Sequence, residues 1–303
     1  MTYTGTSVRE FFDRFPNEDA CLRHVFEVKF GDHTPCHHCG VVGRWTPIRG
    51  TKKYFHLPCR KHVSPLKDTA IYRSNLSLMA WFYAMLLMTN SSTGVRSSFL
   101  RRQMGIGVKS AHALCNKLRL HMASHEVPTP FGGPGRLVHI DEAFIPHMSE
   151  GVRQRPHIIM GIASDGKVSS GILSNRKLET LSGVINRLVL PGSIIVTDYH
   201  LGYSSLAADG WDHIRINHKR GFHNFAGVTN NPIEGYWATV RRTMSLYQHV
   251  APHNLWRFLA EIQFRFNRRH SVTSTFYELI GSFPIIDPEN KVALERNFDW
   301  SKQ

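Results

Sequence analysis

The sequence predicts an α/β protein in several parts: a short Cys/His-rich ribbon, a helical region, and a larger layered α/β domain. Three observations predict it. Three of the five cysteines fall between residues 36 and 59. Apolar residues recur at helical spacing on both sides of that segment. From residue 137 onward, alternating apolar runs in a meander give way to helix, strand and helix. At 303 residues the chain is long enough for two or three domains and a sizeable core. It contains no internal repeat and no low-complexity segment.

Taken in order, residues 5–30 read as helical, with Val8, Phe11, Phe12, Phe15, Leu22, Val25 and Phe26 on one stripe and Pro16 starting a second helix. Residues 33–67 are dense in Gly, Pro, Cys, His and Lys, with short β-like pieces. Leu76–Thr89 is a strongly apolar helix. Helices over about Ser97–Met104 and Lys109–Met122 flank a turn at Gly105 and Gly107. That is the helix-turn-helix pattern, or an ordinary helical hairpin. Lys109, Ser110, His112 and Lys117 would lie along the outer face of the second helix. Pro128, Pro130 and "FGGPG" form a linker. Strands follow over Leu137–Phe144, Pro156–Ser164 and Val168–Leu173, the last two joined by an "SDGK" hairpin turn. A helix over Leu178–Leu188, strands "SIIVTD" and "HIRINH", and helices from Asn230 and over Asn254–Arg268 complete the chain. The expected segments are therefore 1–32 helical, 33–70 ribbon, 71–127 helical, 128–280 α/β, and a 281–303 tail.

The formal charge is +14 with a pI near 9.8, which favours a polyanionic partner, nucleic acid or an acidic membrane surface. Residues 1–130 carry 18 Lys+Arg against 8 Asp+Glu, and residues 131–303 carry 19 against 15. The first part is thus the expected DNA-gripping half. The most apolar run, Leu76 to Met88, is shorter than the roughly 20 residues that span a bilayer. Charges at Arg9, Glu10, Asp13 and Arg14 interrupt any signal-peptide pattern, so a cytoplasmic location is expected.

Cys36-x2-Cys39, followed after nineteen residues by Cys59-x2-His62, has the spacing of a tetrahedral structural zinc site. Soft thiolates neutralise the ion, and each knuckle lets two side chains reach it. His37, His38 and His56 compete with His62 for the fourth position. Cys21 and Cys115, in apolar helical surroundings, read as buried small hydrophobes.

Asp141 and Asp198 each end a strand-like run, where ligands bind in an α/β sheet, although Asp there also starts turns. Glu234 heads the helix in "TNNPIEGYWATVRR", where Asn231 and Pro232 also suit a capping arrangement. Asn231, Glu234 and Arg241 share a helix face. Three converging carboxylates repel one another unless cations lie between them. Mg²⁺ prefers such oxygens, and a pair of ions can activate a nucleophile and stabilise the leaving oxygen of a phosphodiester. A basic chain with such a pocket suits the cutting or joining of DNA.

With these residues in place, the chain resembles the zinc-ribbon insertion-sequence transposases of the DDE superfamily, the ISXO-like branch, from about Asn17 to Arg269. "CHHCG" and "YFHLPCRKHVSPLKDTAIYRSNLSLMAWFYAM" resemble its ribbon and first apolar helix. "VHIDEAFI", "IVTDYHLGY" and "TNNPIEGYWATVRRTMSLYQHVAPHNLWRFLAEIQFRFNRRH" resemble its three catalytic segments. The resemblance implies an RNase-H-like core, catalytic Asp141, Asp198 and Glu234 holding two Mg²⁺, and a structural Zn²⁺. It also implies cleavage at the element's terminal inverted repeats, strand transfer into target DNA, and a homo-oligomer on that DNA. Asn231 matches the family's Asn before the last acid, and Arg241 stands where relatives often have Lys. His62 stands where the last ribbon cysteine is expected. Arg242, Lys219, Arg220, Lys109 and Lys117 are candidate DNA contacts or solvated charges. His200, His218 and His223 lie near the same segments, and Glu142 and Glu261 are neighbouring acids read as non-catalytic. The other function considered is a catalytically silent, transposase-derived DNA-binding regulator. A stand-alone RNA–DNA-hybrid nuclease would leave the ribbon superfluous.

Overall fold

The computed structural model describes residues 5–31, 34–149, 152–216, 231–247 and 250–302. The chain divides into two compact units, one of Met1–His125 with His270–Lys291, the other of Glu126–Arg269 with Val292–Gln303.

In the first unit, α1 (Val8–Arg14) and α2 (Glu18–Phe30) are capped by Ser7 and Asn17, whose side-chain oxygens accept from the Glu10 and Ala20 amides at 3.1 and 2.9 Å. Pro16 precedes the second cap and breaks the chain between the helices. Three short strands, β1 (Trp45–Pro47), β2 (Tyr54–His56) and β3 (His62–Val63), pair antiparallel as the ribbon. The ribbon leans on α2 through Tyr54, whose ring stacks on Phe26 with centroids 3.9 Å apart.

The apolar helix α3 (Leu78–Asn90) is held at its start by Glu18, whose carboxylate accepts from the Leu78 and Met79 amides at 2.9 and 3.0 Å. This is an anion on the positive end of a helix. Trp81, Phe82 and Met85 bury its inner face. Helices α4 (Ser97–Met104) and α5 (Val108–Ala123) flank a turn in which Gly105 adopts φ 62°, left-handed geometry that favours glycine. Leu100, Ala111, Leu114 and Leu118 fill the space between them and the core. Lys109, Ser110 and His112 are exposed as expected. Lys117 corrects the expected outer face: its ammonium donates to the Tyr72 carbonyl at 2.9 Å and approaches the Trp81 ring. The long apolar stem favours the packed side of the helix.

In the second unit a small parallel pair, β4 (Phe131–Gly132) with β8 (Val189–Leu190), accompanies a larger sheet. That sheet contains β5 (Leu137–Ser149), β6 (Val152–Ser164), β7 (Lys167–Leu173), β9 (Ile194–Thr197) and β10 (Asp212–Arg215). Among the described residues the order is β10-β9-β5-β6-β7. β5, β6 and β7 form an antiparallel meander, while β9 runs parallel to β5 and β10 to β9. Asp165 and Gly166, with φ 52° and 77°, make the tight β6–β7 turn. β5 and β6 run beyond the expected limits of Phe144 and Pro156. The ladder absorbs an irregularity between Ile145 and His147, at Pro146, and continues.

Strand alternation gives this sheet two buried faces. Val138, Ile140, Met160 and Ile162 meet α6 (Leu178–Leu188) through Leu181, Val184, Ile185 and Leu188. On the other face lie α7 (Asn231–Tyr247) and α8 (Leu255–Asn267). Gln263 and Asn267 of α8 satisfy the β7 backbone, accepting from the Ser170 and Val168 amides at 2.9 and 2.8 Å. No helix among the described residues is long and apolar enough to cross a membrane.

His121 of α5 makes the first unit pH-sensitive. It is fully buried, its Nε2 donates to the Leu279 carbonyl at 3.0 Å, and its ring stacks on Phe283. Burial lowers its pKa from 6.5 to about 4, against the raising effect of that carbonyl. The folded state holds the ring neutral while the unfolded chain protonates it. Its contribution is complete above pH 6.5 and lost as pH falls toward 4, on the order of 3 kcal/mol. Thermal unfolding followed by circular dichroism should show a falling melting temperature over that window. His121→Gln, which still donates to Leu279, should flatten the slope; an unchanged slope rules this origin out.

Candidate functional site

The ribbon gathers Cys36, Cys39, His56 and Cys59, with one ligand atom from each lying within 4.8 Å of the others. Cys36 Sγ is 3.7 Å from Cys59 Sγ, and His56 Nδ1 is 3.5 and 3.1 Å from the Cys39 and Cys59 sulfurs. A tetrahedron with Zn–S about 2.3 Å and Zn–N about 2.1 Å has edges of ~3.8 and ~3.6 Å. Three thiols and an imidazole at these separations fit a zinc ion in size and softness. Burial opposes ionisation of Cys36, but the backbone amides of His38 and Cys39 and the neighbouring thiols outweigh it and lower its pKa.

The fourth ligand position therefore belongs to His56 and not to His62. The two knuckles are built alike. The Cys36 carbonyl accepts from the Gly40 amide at 2.8 Å and the His56 carbonyl from the Arg60 amide at 2.9 Å. Both Gly40 and Arg60 have positive φ, 70° and 57°. Each knuckle thus begins with its first ligand and turns just after its second, which makes Cys59 the second member of its pair. His62 pairs with Phe55 across β2 and β3, their rings 5.3 Å apart, on the face opposite His56. His62 is exposed, whereas His56 is fully buried. Cys21 and Cys115 are buried as expected, and burial, with Glu18, pushes the Cys21 thiol up to about 12.

The second site lies on the α7 side of the large sheet. β5 and β9 pair in parallel with Leu137 beside Ile194, Val138 beside Ile195 and His139 beside Val196. The last pair is His139 with Val196; continued by two residues, that register would bring Asp141 level with Asp198 on one face of the sheet. Asp198 follows the last residue of β9, and its Oδ1 accepts from the His200 amide at 2.9 Å. α7 closes over this end at Gly161, the direct β6 partner of Asp141. A Cβ on Gly161 would lie 2.7 Å from Ile233 and 2.9 Å from Trp237. Trp237, 2% exposed, donates its indole N–H to Asp141 Oδ2 at 3.1 Å. Glu234 is half-buried, one residue after Ile233 and one turn before Trp237, at the end of α7 that rests on Gly161. Carboxylate oxygens are hard ligands of the kind Mg²⁺ takes; among the described residues the one group of side chains close enough to share an ion is that of the ribbon.

Glu142 points to the opposite face, as alternation requires, yet it belongs to the same electrostatic system. Its side chain is 2% exposed, accepts a hydrogen bond from Tyr203, and lies 4.0 Å from Arg176. Burial raises its pKa to about 7, opposed by the Tyr203 bond, reinforced by Asp141 and Asp198, and opposed by Arg176. Both aspartates are thus close enough to act on it. Tyr203 and Arg176 were not singled out from the sequence: an arginine in a connection and a tyrosine in a turn carry no spacing signal.

Arg241 and Arg242 are exposed on α7. His200 caps a turn, its Nδ1 accepting from the Gly202 amide at 3.1 Å. Glu261 is buried in α8, 3.5 Å from Arg265 and bonded by the Tyr247 hydroxyl at 2.9 Å, a packing role. Lys219, Arg220, His218 and His223 lie outside the described residues, as does the side chain of Asn231.

The mixed α/β domain and the Cys3His ribbon belong to a chain that two comparisons place among transposases. Residues 133–267 match the model of the ISXO2-like transposase domain. The chain is also 30% identical over 104 residues, 33% of its own length and 81% of the relative's, to an uncharacterized transposase-like protein of Haemophilus influenzae (strain ATCC 51907 / DSM 11121 / KW20 / Rd). The chain belongs to the ISXO2-like transposase family.

Two measurements check this geometry. His56→Ala should reduce zinc retained after dialysis by about 10-fold or more, while His62→Ala keeps one ion per chain; the reverse order would reject the ligand set. Gly161→Ala should force α7 off the sheet and destabilise the second unit by about 1–3 kcal/mol. A melting curve identical to that of the unsubstituted protein would show that α7 does not pack there.

Proposed function

We propose that the protein is a DDE-type DNA transposase that cleaves phosphodiester bonds at the ends of its element and transfers the freed strand to target DNA. The observation that supports this is the β5/β9 register, which, continued two residues past its last pair, would bring Asp141 level with Asp198 on the face that packs against α7, the helix bearing Glu234. The strand order, three antiparallel strands followed by two parallel ones, supports an RNase-H-like core.

In this mechanism Asp141, Asp198 and Glu234 would hold the divalent cations, two Mg²⁺ in this reading. Bound Mg²⁺ would polarise the attacking oxygen and stabilise charge on the leaving one. The Trp237 N–H fixes the Asp141 carboxylate, and the His200 amide fixes Asp198. Arg241 and Arg242, exposed along the same helix, meet flanking phosphates; Asn231, Lys219 and Arg220 are assigned to the same DNA path. The zinc-held ribbon (33–70) and the helical region (71–127), with exposed Lys109 on α5, grip the terminal inverted repeats, and the 128–280 segment carries the chemistry. Lys117, committed to Tyr72, supports the helix from within. The protein works in the cytoplasm as a homo-oligomer on DNA.

Purified protein with end-sequence DNA should nick it when Mg²⁺ or Mn²⁺ is present. Asp198→Asn should lose more than about 100-fold of that activity while DNA binding persists. Binding without cleavage by the unsubstituted protein, across both metals, would make it a transposase-derived regulator instead.

A further inference from the structure

The ladder between β5 and β9 ends before the acids. Its last pair is His139 with Val196, and β9 stops at Thr197. Something else must hold Asp198 at a fixed separation from Asp141. On the far face of the sheet, Glu142 and Tyr203 form a direct side-chain bond, the tyrosine hydroxyl donating to Oε1. Glu142 adjoins Asp141 in β5, and Tyr203 comes five residues after Asp198.

The segment between Asp198 and Tyr203 is stiff. The His200 amide donates to Asp198 Oδ1 at 2.9 Å, the Gly202 amide to His200 Nδ1 at 3.1 Å, and the Tyr203 amide to the His200 carbonyl at 3.1 Å. A Cβ on Gly202 would lie 2.6 Å from Leu181 and 2.9 Å from the Arg176 carbonyl, so the turn is pressed against its support. Tyr203 is fully buried among Leu181, Ile195 and Leu206. Movement of Asp198 relative to Asp141 therefore strains the Glu142–Tyr203 bond.

Stability does not account for this pair. A buried carboxylate loses several kcal/mol of hydration, and apolar side chains of similar volume commonly hold such a place as well or better. The cation beside it, Arg176, is 4.0 Å away and one-third exposed, a weak compensation.

We propose that Glu142 and Tyr203 are positioning residues that set the spacing between Asp141 and Asp198, and through it the divalent-cation affinity of that pair. This rests on the reading of Asp141 and Asp198 as metal ligands given above. Neither positioning residue touches metal or DNA; each acts through the neighbouring aspartate.

The test uses the full chain, with Mn²⁺ binding measured by calorimetry and metal-free melting measured in parallel. Tyr203→Phe should weaken Mn²⁺ binding about 10-fold, the scale of lost support behind a ligand, with a melting temperature equal to or above that of the unsubstituted protein. Glu142→Gln, whose amide oxygen still accepts from Tyr203, should bind Mn²⁺ within about threefold of it. Unchanged Mn²⁺ affinity in Tyr203→Phe would overturn the proposal. So would a fall in affinity matched by a fall in melting temperature, which marks a merely structural bond. Glu142→Gln losing Mn²⁺ as completely as Asp198→Asn would also overturn it, making Glu142 a ligand. If the unsubstituted protein takes up no Mn²⁺, or Asp198→Asn binds it normally, the metal-ligand reading itself fails and this proposal with it.

Discussion

A parallel pairing of two strands at an offset of 57 residues is the constraint on which the larger unit depends. Asp141 and Asp198 are separated by that same offset, so any register that buries Val138 with Ile195 also brings the two acids abreast. A slip by one residue would turn the β9 apolar set outward and remove Asp198 from the face of Asp141. The apolar core thus favours an arrangement that electrostatics opposes, and contacts beyond the end of the ladder complete it. The opposition is visible at Glu142, where burial and the two aspartates together favour the protonated form. α7 is admitted to this face because Gly161, beside Asp141, has no side chain, and its Trp237 N–H supplies one donor to the acid.

The ribbon answers a different deficit. Its three strands have three, three and two residues, too little sheet to bury a core of their own. Two knuckles of matching geometry bring three thiols and His56 to one point, where a metal bond would replace hydrophobic burial. Its basic side chains at Arg44, Arg49, Lys52, Lys53, Arg60 and Lys61 then ride on a frame too small to be rigid without that cross-link.

Much of this was legible because periodicity and turn chemistry are local. The helices around Pro16, the Gly105–Gly107 turn and the Asp165–Gly166 hairpin appear where their residues require them. What escaped depends on orientation and tertiary contact. Cys59-x2-His62 and His56-x2-Cys59 have the same spacing, and only the strand alternation of β2 and the positive φ of Arg60 separate them. The sequence pattern places Lys117 on the outer face of its helix, but the Tyr72 carbonyl lies within reach of its ammonium. Nothing local in the sequence ties Trp237 to an acid 96 residues earlier, the bond its indole makes. Strand alternation turns Glu142 away from Asp141, and its burial against Tyr203 follows from a sheet with both faces covered.

The distribution of charge places one further condition on the proposed chemistry. A chain with net charge +14 attracts DNA from a distance, but the phosphate to be cut must come to rest beside three carboxylates. At that range the local acids, partly shielded from solvent, outweigh the screened field of distant lysines and arginines. A phosphodiester enters such a pocket favourably only when cations already neutralise it, and those cations are held better once the phosphate supplies further oxygens. On the proposed reading, metal and DNA therefore strengthen each other by the same factor in either order of addition. On that same reading the basic first unit would supply capture, and the acid cluster with its ions would decide which bound DNA is brought to reaction.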